Sequence, residues 1–260
     1  MALSEFEEKI LFSTVRISIA EKNGTGSSIG TGFIVSAPVP GKPSQSALLL
    51  ISNRHVFGDP TGKISLNFTR RKKNEIKPDL GQIQTIAQSD FSGGYTGHPN
   101  PRIDLACINI STFGEPEIGI YFRHLSSVNF PEMTEDTLVV GSDIWFIGYP
   151  ENRFDVVHNI PIFRKGCIAS PPKLDFNGEK QFLIDAQVFP GSSGSPVFAA
   201  IGGEYKVIGV VSATMIKDQM LQAAPVSITY FTQQVIGLGI VLKMSLLNEL
   251  IDTAVLRLAS

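Results

Sequence analysis

The stretch "FPGSSGSPVF", Phe189 to Phe198, packs three serines among two glycines and two prolines. A serine hydroxyl is a poor nucleophile until a base takes its proton, and that base is usually a histidine oriented by a carboxylate. In Gly191-Ser192-Ser193-Gly194-Ser195-Pro196 the glycines let the backbone turn sharply and aim N–H groups at one point. Donors at Gly191 and Ser193 would then form an oxyanion hole, with Ser193 as the nucleophile and Pro196 ending the turn before a strand. The same residue types build ordinary β-turns, so the decision rests on what else the chain supplies.

The chain has four histidines, His55, His98, His124 and His158, and all precede the serine cluster. That excludes the order Ser, Asp, His of the α/β-hydrolases, and Ser195 stands where their G-x-S-x-G elbow needs its second glycine. No aspartate precedes His55, which excludes the subtilisin order. The order His, Asp, Ser remains. His55 closes the apolar run "ALLLISNRHVF", read as a buried strand that delivers an imidazole at its end. Asp104 opens "DLACINI"; a carboxylate at the mouth of a buried strand is costly unless hydrogen-bonded, and a histidine N–H would satisfy it. Asp59, Asp79 and Asp90 lie in polar loops without that context. His98, in "GGYTGHPNPR", is the alternative base, in a Gly- and Pro-rich loop poorly suited to positioning.

The elements around these residues read as all-β. Short runs rich in Val, Ile and Phe, such as "STVRISIA", "DIWFIGYP" and "KVIGVVSA", recur between turns punctuated by 24 Gly and 16 Pro. Most are about five to eight residues long, the length of a strand in a sandwich or barrel. Ser4 and Glu7 predict a capping box on a short N-terminal helix. Leu246, Leu247, Leu250, Ile251, Val255 and Leu258 follow helical spacing and predict a closing amphipathic helix. The boundaries expected are a helix over 1–11, a first β unit over 12–114, a linker over 115–135, a second β unit over 136–242 and a helix over 243–260.

With 43% hydrophobic and 18% charged residues, the 260-residue chain can bury a sizeable core. A formal charge of −2 argues against nucleic acid or a membrane surface as partner. The basic run Arg70 to Lys73 reads as a solvated hairpin tip. The N-terminus carries Glu5, Glu7 and Glu8 where a secretory leader would be basic, and the expectation is a cytoplasmic protein. Cys107 and Cys167 lie in apolar runs and read as free thiols. Neither has a Cys or His neighbour at zinc spacing, so no metal or cofactor is expected.

Taken together, these motifs resemble the trypsin-like serine peptidases of chymotrypsin fold, and most of all the bacterial HtrA/Deg branch. "GTGFIVS", "ISNRHVFGD", "DLACINI", "VGSDIWFIGYP", "LIDAQVFPGSSGSPVF" and "GLGIVL" are each similar to a segment of that branch, from about Gly30 to Leu242. The resemblance implies two six-stranded antiparallel β-barrels with the site between them. It implies His55 as general base, Asp104 as its orienter, Ser193 as nucleophile, and the Gly191 and Ser193 N–H groups as the oxyanion hole. Ser212, Ala213 and Thr214 would run along a bound peptide. Gln187 would sit at the base of the first specificity pocket, lined also by Val188, Ala213 and Gly239, and a neutral residue before the scissile bond follows.

There are departures. Ser195 replaces the usual second glycine after the nucleophile. Ser192 stands where the animal digestive enzymes carry an aspartate that pairs with a freed N-terminus, so that mode of activation is not expected. With 19 residues after Val241, the PDZ domain of HtrA proteins is not expected. The function expected is a serine endopeptidase acting on peptide or protein substrates. The alternative is a latent or inactive module of the same fold that binds peptides or a regulatory protein partner within an intracellular signalling or defence assembly.

Overall fold

The computed structural model describes residues 3–20, 27–131, 138–223 and 228–259. The chain opens with α1 (Glu5–Ser13), whose capping box forms as the sequence predicts: Ser4 Oγ accepts the Glu7 N–H, and the Glu7 carboxylate accepts the Ser4 N–H. Strands β1 (Thr14–Ala20), β2 (Ser27–Pro38) and β3 (Ser46–Ser52) follow, then the single-turn helix α2 (Arg54–Phe57). Next come β4 (Lys63–Arg71), β5 (Pro78–Ser89), β6 (Tyr95–Gly97), β7 (Ala106–Asn109), β8 (Ile120–Tyr121) and β9 (Leu125–Ser126). The second half holds β10 (Asp143–Gly148), β11 (Ile162–Ile168), β12 (Gln181–Asp185), β13 (Pro196–Ile201), β14 (Glu204–Ala223) and β15 (Ile228–Lys243), and ends on α3 (Met244–Ala259).

The two halves close differently. The second is a closed six-stranded barrel, β10-β11-β12-β15-β14-β13, antiparallel throughout. The first is a nine-stranded sheet in the order β5-β4-β1-β2-β3-β7-β6. Among the described residues no ladder joins β5 to β6, so this half is a curled sheet with a seam where the sequence predicts a barrel of six strands. The stretch expected as a linker is partly absorbed into it: β8 pairs with β4, and β9 pairs with β2 in parallel.

Each half has its own core. Val15, Ile17, Leu50, Phe57, Leu66 and Phe68 fill the first, and Ile144, Phe146, Phe182, Ile184, Val197 and Val211 the second. A third cluster joins them: Phe33, Val35, Leu49 and Ile51 meet Ile147, Phe198 and Val210 beneath α3. The predicted apolar stripe of α3 is the face that docks, with Leu246, Leu247, Leu250, Ile251 and Val255 buried. Each Leu or Ile so buried contributes about 1.5–3 kcal/mol, which fixes the two halves against each other.

Two lengths depart from expectation. β14 and β15 are 20 and 16 residues long because their pairing continues as a two-stranded ribbon to Ala223 and Ile228. The run ending at His55 is not all strand: β3 stops at Ser52 and the histidine sits on α2. The chain turns there because the Val56 and Phe57 N–H groups bond back to the Asn53 carbonyl in place of a neighbouring strand.

Candidate active site

His55 projects from α2 at the edge of the first sheet, and Asp104 lies just before β7, the strand that pairs with β3. Their neighbouring strands bring them together. Asp104 Oδ1 accepts the His55 backbone N–H at 3.0 Å, and Oδ2 lies 2.6 Å from His55 Nδ1. With Nδ1 as donor to the carboxylate, Nε2 is left as the basic nitrogen. Asn53 Nδ2 donates to the Asp104 carbonyl at 2.7 Å, so both the main chain and the side chain of the aspartate are held.

Ser193 arrives from the other half, in the turn between β12 and β13. Its hydroxyl donates to the Ser212 carbonyl at 3.2 Å, and Ser212 Oγ donates to Asp104 Oδ2 at 3.3 Å. Ser193, Ser212, Asp104 and His55 therefore form one connected group spanning both halves.

The backbone of the turn is fixed peptide by peptide. The Pro190 carbonyl accepts the Glu151 N–H at 2.6 Å, the Ser192 carbonyl accepts the Ser195 N–H at 3.0 Å, and the Ser193 carbonyl accepts the Thr31 N–H at 3.0 Å. The Ser192 N–H donates to Phe189 and the Gly194 N–H to Val211. Gly191 and Ser193 are the two residues from 191 to 195 whose N–H groups donate to no partner among the described residues. In a trans peptide the N–H points opposite the carbonyl, so holding the Pro190 and Ser192 carbonyls also sets the direction of these two N–H groups. Gly191 has φ 87° and Gly194 φ 86°, which L side chains rarely adopt. A Cβ at Gly191 would lie 2.4 Å from the Tyr149 carbonyl oxygen, and one at Gly194 would lie 2.0 Å from that of Thr31.

A family model described as the trypsin-like peptidase domain matches residues 30–210. The chain belongs to that family. Among solved structures, this peptidase domain is similar to an HtrA-type protease, AlgW, determined with a tripeptide: TM-score 0.52 and 17% identity, over 97% of this chain and 64% of that one. The chain thus spans under two thirds of the AlgW chain. The Rv3671c protease from M. tuberculosis in its active form gives TM-score 0.45 and 16% identity, over 94% of this chain and 81% of that one. No curated protein matches this sequence.

The remaining predicted residues of the peptidase domain fall near the turn with unequal exposure. Ala213 is exposed on β14, where it pairs with Ile240, and Thr214 pairs with Gly239. Gln187 is exposed in the loop after β12. Val188 is buried in the barrel core, and a Cβ on Gly239 would lie 2.5 Å from its Cγ2. The alternative base, His98, is not at this site: it is 3% exposed, its Nδ1 accepts the Asn100 N–H at 3.1 Å, and its Nε2 faces Glu249 of α3 at 3.4 Å. His158 pairs with Asp155 at 2.7 Å. Cys107 is buried, which pushes its thiol up to about 12. Among the described residues no group of His, Cys, Asp and Glu could hold a metal ion. Sequence reasoning missed Ser212 as a partner of Asp104, Asn53 as a clamp on its main chain, and Thr31 as a partner of the turn. Their local sequence is unremarkable, and only the pairing of distant strands brings them in.

Proposed function

We propose that this chain is a serine endopeptidase that cleaves peptide bonds through an acyl-enzyme. One observation carries the reading: a histidine–carboxylate pair and a serine, joined through Ser212, lie beside a turn whose Gly191 and Ser193 N–H groups donate to no partner among the described residues. Rotation of the Ser193 hydroxyl from the Ser212 carbonyl toward His55 Nε2 sets up the attack, since such bonds are often unformed without substrate. His55 takes the Ser193 proton as Oγ bonds to the carbonyl carbon, and Asp104 stabilises the imidazolium. The Gly191 and Ser193 N–H groups receive the oxyanion. His55 then protonates the leaving amine, the C–N bond breaks, and the same base activates the water that releases the acid and restores Ser193.

In this reading the substrate backbone lies along Ser212, Ala213 and Thr214. Its first specificity pocket, at Gln187, Val188, Ala213 and Gly239, has no charged residue and takes a neutral side chain. No cofactor enters any step. The latent alternative needs a collapsed turn with a carbonyl pointing inward, and the bond from the Glu151 N–H to the Pro190 carbonyl weighs against it. Digestion of unfolded protein and of a mixed peptide library, with products read by mass spectrometry, tests the proposal. Cleavage by the wild type, abolished in Ser193→Ala, is expected. Equal cleavage by both would overturn it, and a strict Arg or Lys preference would overturn the pocket assignment.

A further inference from the structure

We infer that Thr31, on β2 of the first sheet, is the positioning residue that sets the oxyanion turn of the other half. The inference rests on the endopeptidase reading for its kinetic consequence and on the hydrogen bonds alone for its structural part. Thr31 is fully buried, and every polar atom it has is engaged. Its N–H donates to the Ser193 carbonyl at 3.0 Å, and its carbonyl accepts the Ser52 hydroxyl at 2.6 Å. Its Oγ1 accepts the Tyr149 N–H at 3.0 Å and donates to the Gly191 carbonyl at 2.8 Å. A hydroxyl carries one hydrogen, so accepting from Tyr149 leaves that hydrogen for Gly191, and the direction of the bond is fixed.

The consequence follows from peptide geometry. The Gly191–Ser192 peptide lies between the Pro190–Gly191 and Ser192–Ser193 peptides that carry the two oxyanion N–H groups, and Thr31 holds its carbonyl and the Ser193 carbonyl that follows. With the Gly191 carbonyl pinned, the peptide cannot flip, and its Ser192 N–H stays on Phe189. The two N–H groups assigned to the oxyanion then keep a common direction. Glycine at 148 makes the room: a Cβ there would lie 2.5 Å from Thr31 Oγ1 and 2.3 Å from Ser195 Oγ. Ser192 Oγ is buried and has no hydrogen-bond partner among the described residues, so that side chain does not hold the turn. In this chain the lock is a neutral hydroxyl supplied across the interface between the halves.

Thr31→Val keeps the shape of the side chain and removes the hydroxyl; Thr31→Ser keeps the hydroxyl. With active sites counted by titration, Thr31→Val is expected to lower kcat by about 10- to 100-fold while KM for a peptide stays near the wild-type value, and Thr31→Ser is expected to recover most of kcat. A role in stability alone would reduce the number of titratable sites without changing kcat per site. Amide exchange at Ser192, measured in the Ser193→Ala background, is expected to quicken in Thr31→Val and not in Thr31→Ser. Unchanged kcat per site in Thr31→Val, equal loss in Thr31→Ser, or unchanged Ser192 exchange would overturn the inference. If the wild type cleaves nothing, the endopeptidase reading fails by itself and the exchange measurement decides the part played by Thr31.

Discussion

In the first sheet the site consists of side chains: the His55 imidazole and the Asp104 carboxylate hold each other, and α2 and β7 bring them together. In the barrel it is mostly main chain: apart from the Ser193 and Ser212 hydroxyls, the turn contributes two N–H groups whose direction is set by neighbouring carbonyls. The two halves should therefore fail in different ways. A side-chain site is lost by changing a functional group while the backbone stays in place. A main-chain site is lost when a Cβ is placed where the backbone needs positive φ, or when a group that holds its carbonyls is removed.

The sharpest way to break the first half is Asp104→Asn. Loss of the charge that orients His55 and stabilises its imidazolium should lower kcat by about 10⁴-fold with the fold retained, as steady-state kinetics and circular dichroism together would show. A loss below about tenfold would mean that Asp104 does not orient the base. The counterpart in the second half is Gly191→Ala. It changes no functional group, yet its Cβ meets the Tyr149 carbonyl at positive φ, and displacement of one oxyanion donor should lower kcat by about 10²–10³-fold. Wild-type kinetics in Gly191→Ala would remove the distinction between the halves.

Ser212→Ala tests the link between them. The bond from Ser212 to Asp104 is long, at 3.3 Å, and one neutral donor to a carboxylate that already has two partners should change kcat by no more than about tenfold. The smallest effect concerns stability at the edge of the first sheet. Burial is the main reason that His98 has a pKa below its ordinary 6.5; Arg54 and Lys180 act in the same direction, and Glu249 opposes them. The folded chain thus resists protonation that the unfolded chain accepts, so the contribution is present above about pH 6.5 and is lost as pH falls below it. His124, also lowered by burial, adds a slope of the same sign. The melting temperature of His98→Gln should fall less than that of the wild type between pH 7 and pH 5, and parallel curves would contradict this.

The same contrast explains what could be read from the sequence. That His55 lies against Asp104 and is linked to Ser193 could be read from side-chain identities and their order along the chain; that Ser212 makes the link could not. Ser4 with Glu7 and the stripe on α3 were legible because a cap and a helical face are local patterns. Thr31 was not, because its part in the turn depends on β2 meeting residues 160 or more positions away. Nor was the seam in the first sheet: whether β5 and β6 close a barrel depends on the curl of nine strands, and each strand reads the same either way. The placement of His55 on α2 depends on where β3 loses its partner, which an apolar run does not reveal.

In the proposed function the two halves meet in one working nucleophile. Labelling with a fluorescent fluorophosphonate tests it most directly, since the probe traps a serine only where base and oxyanion donors act together. One covalent adduct per chain is expected by intact mass, located on Ser193 and absent in Ser193→Ala. Folded wild-type protein that takes up no probe, or an adduct that persists in Ser193→Ala, would contradict it.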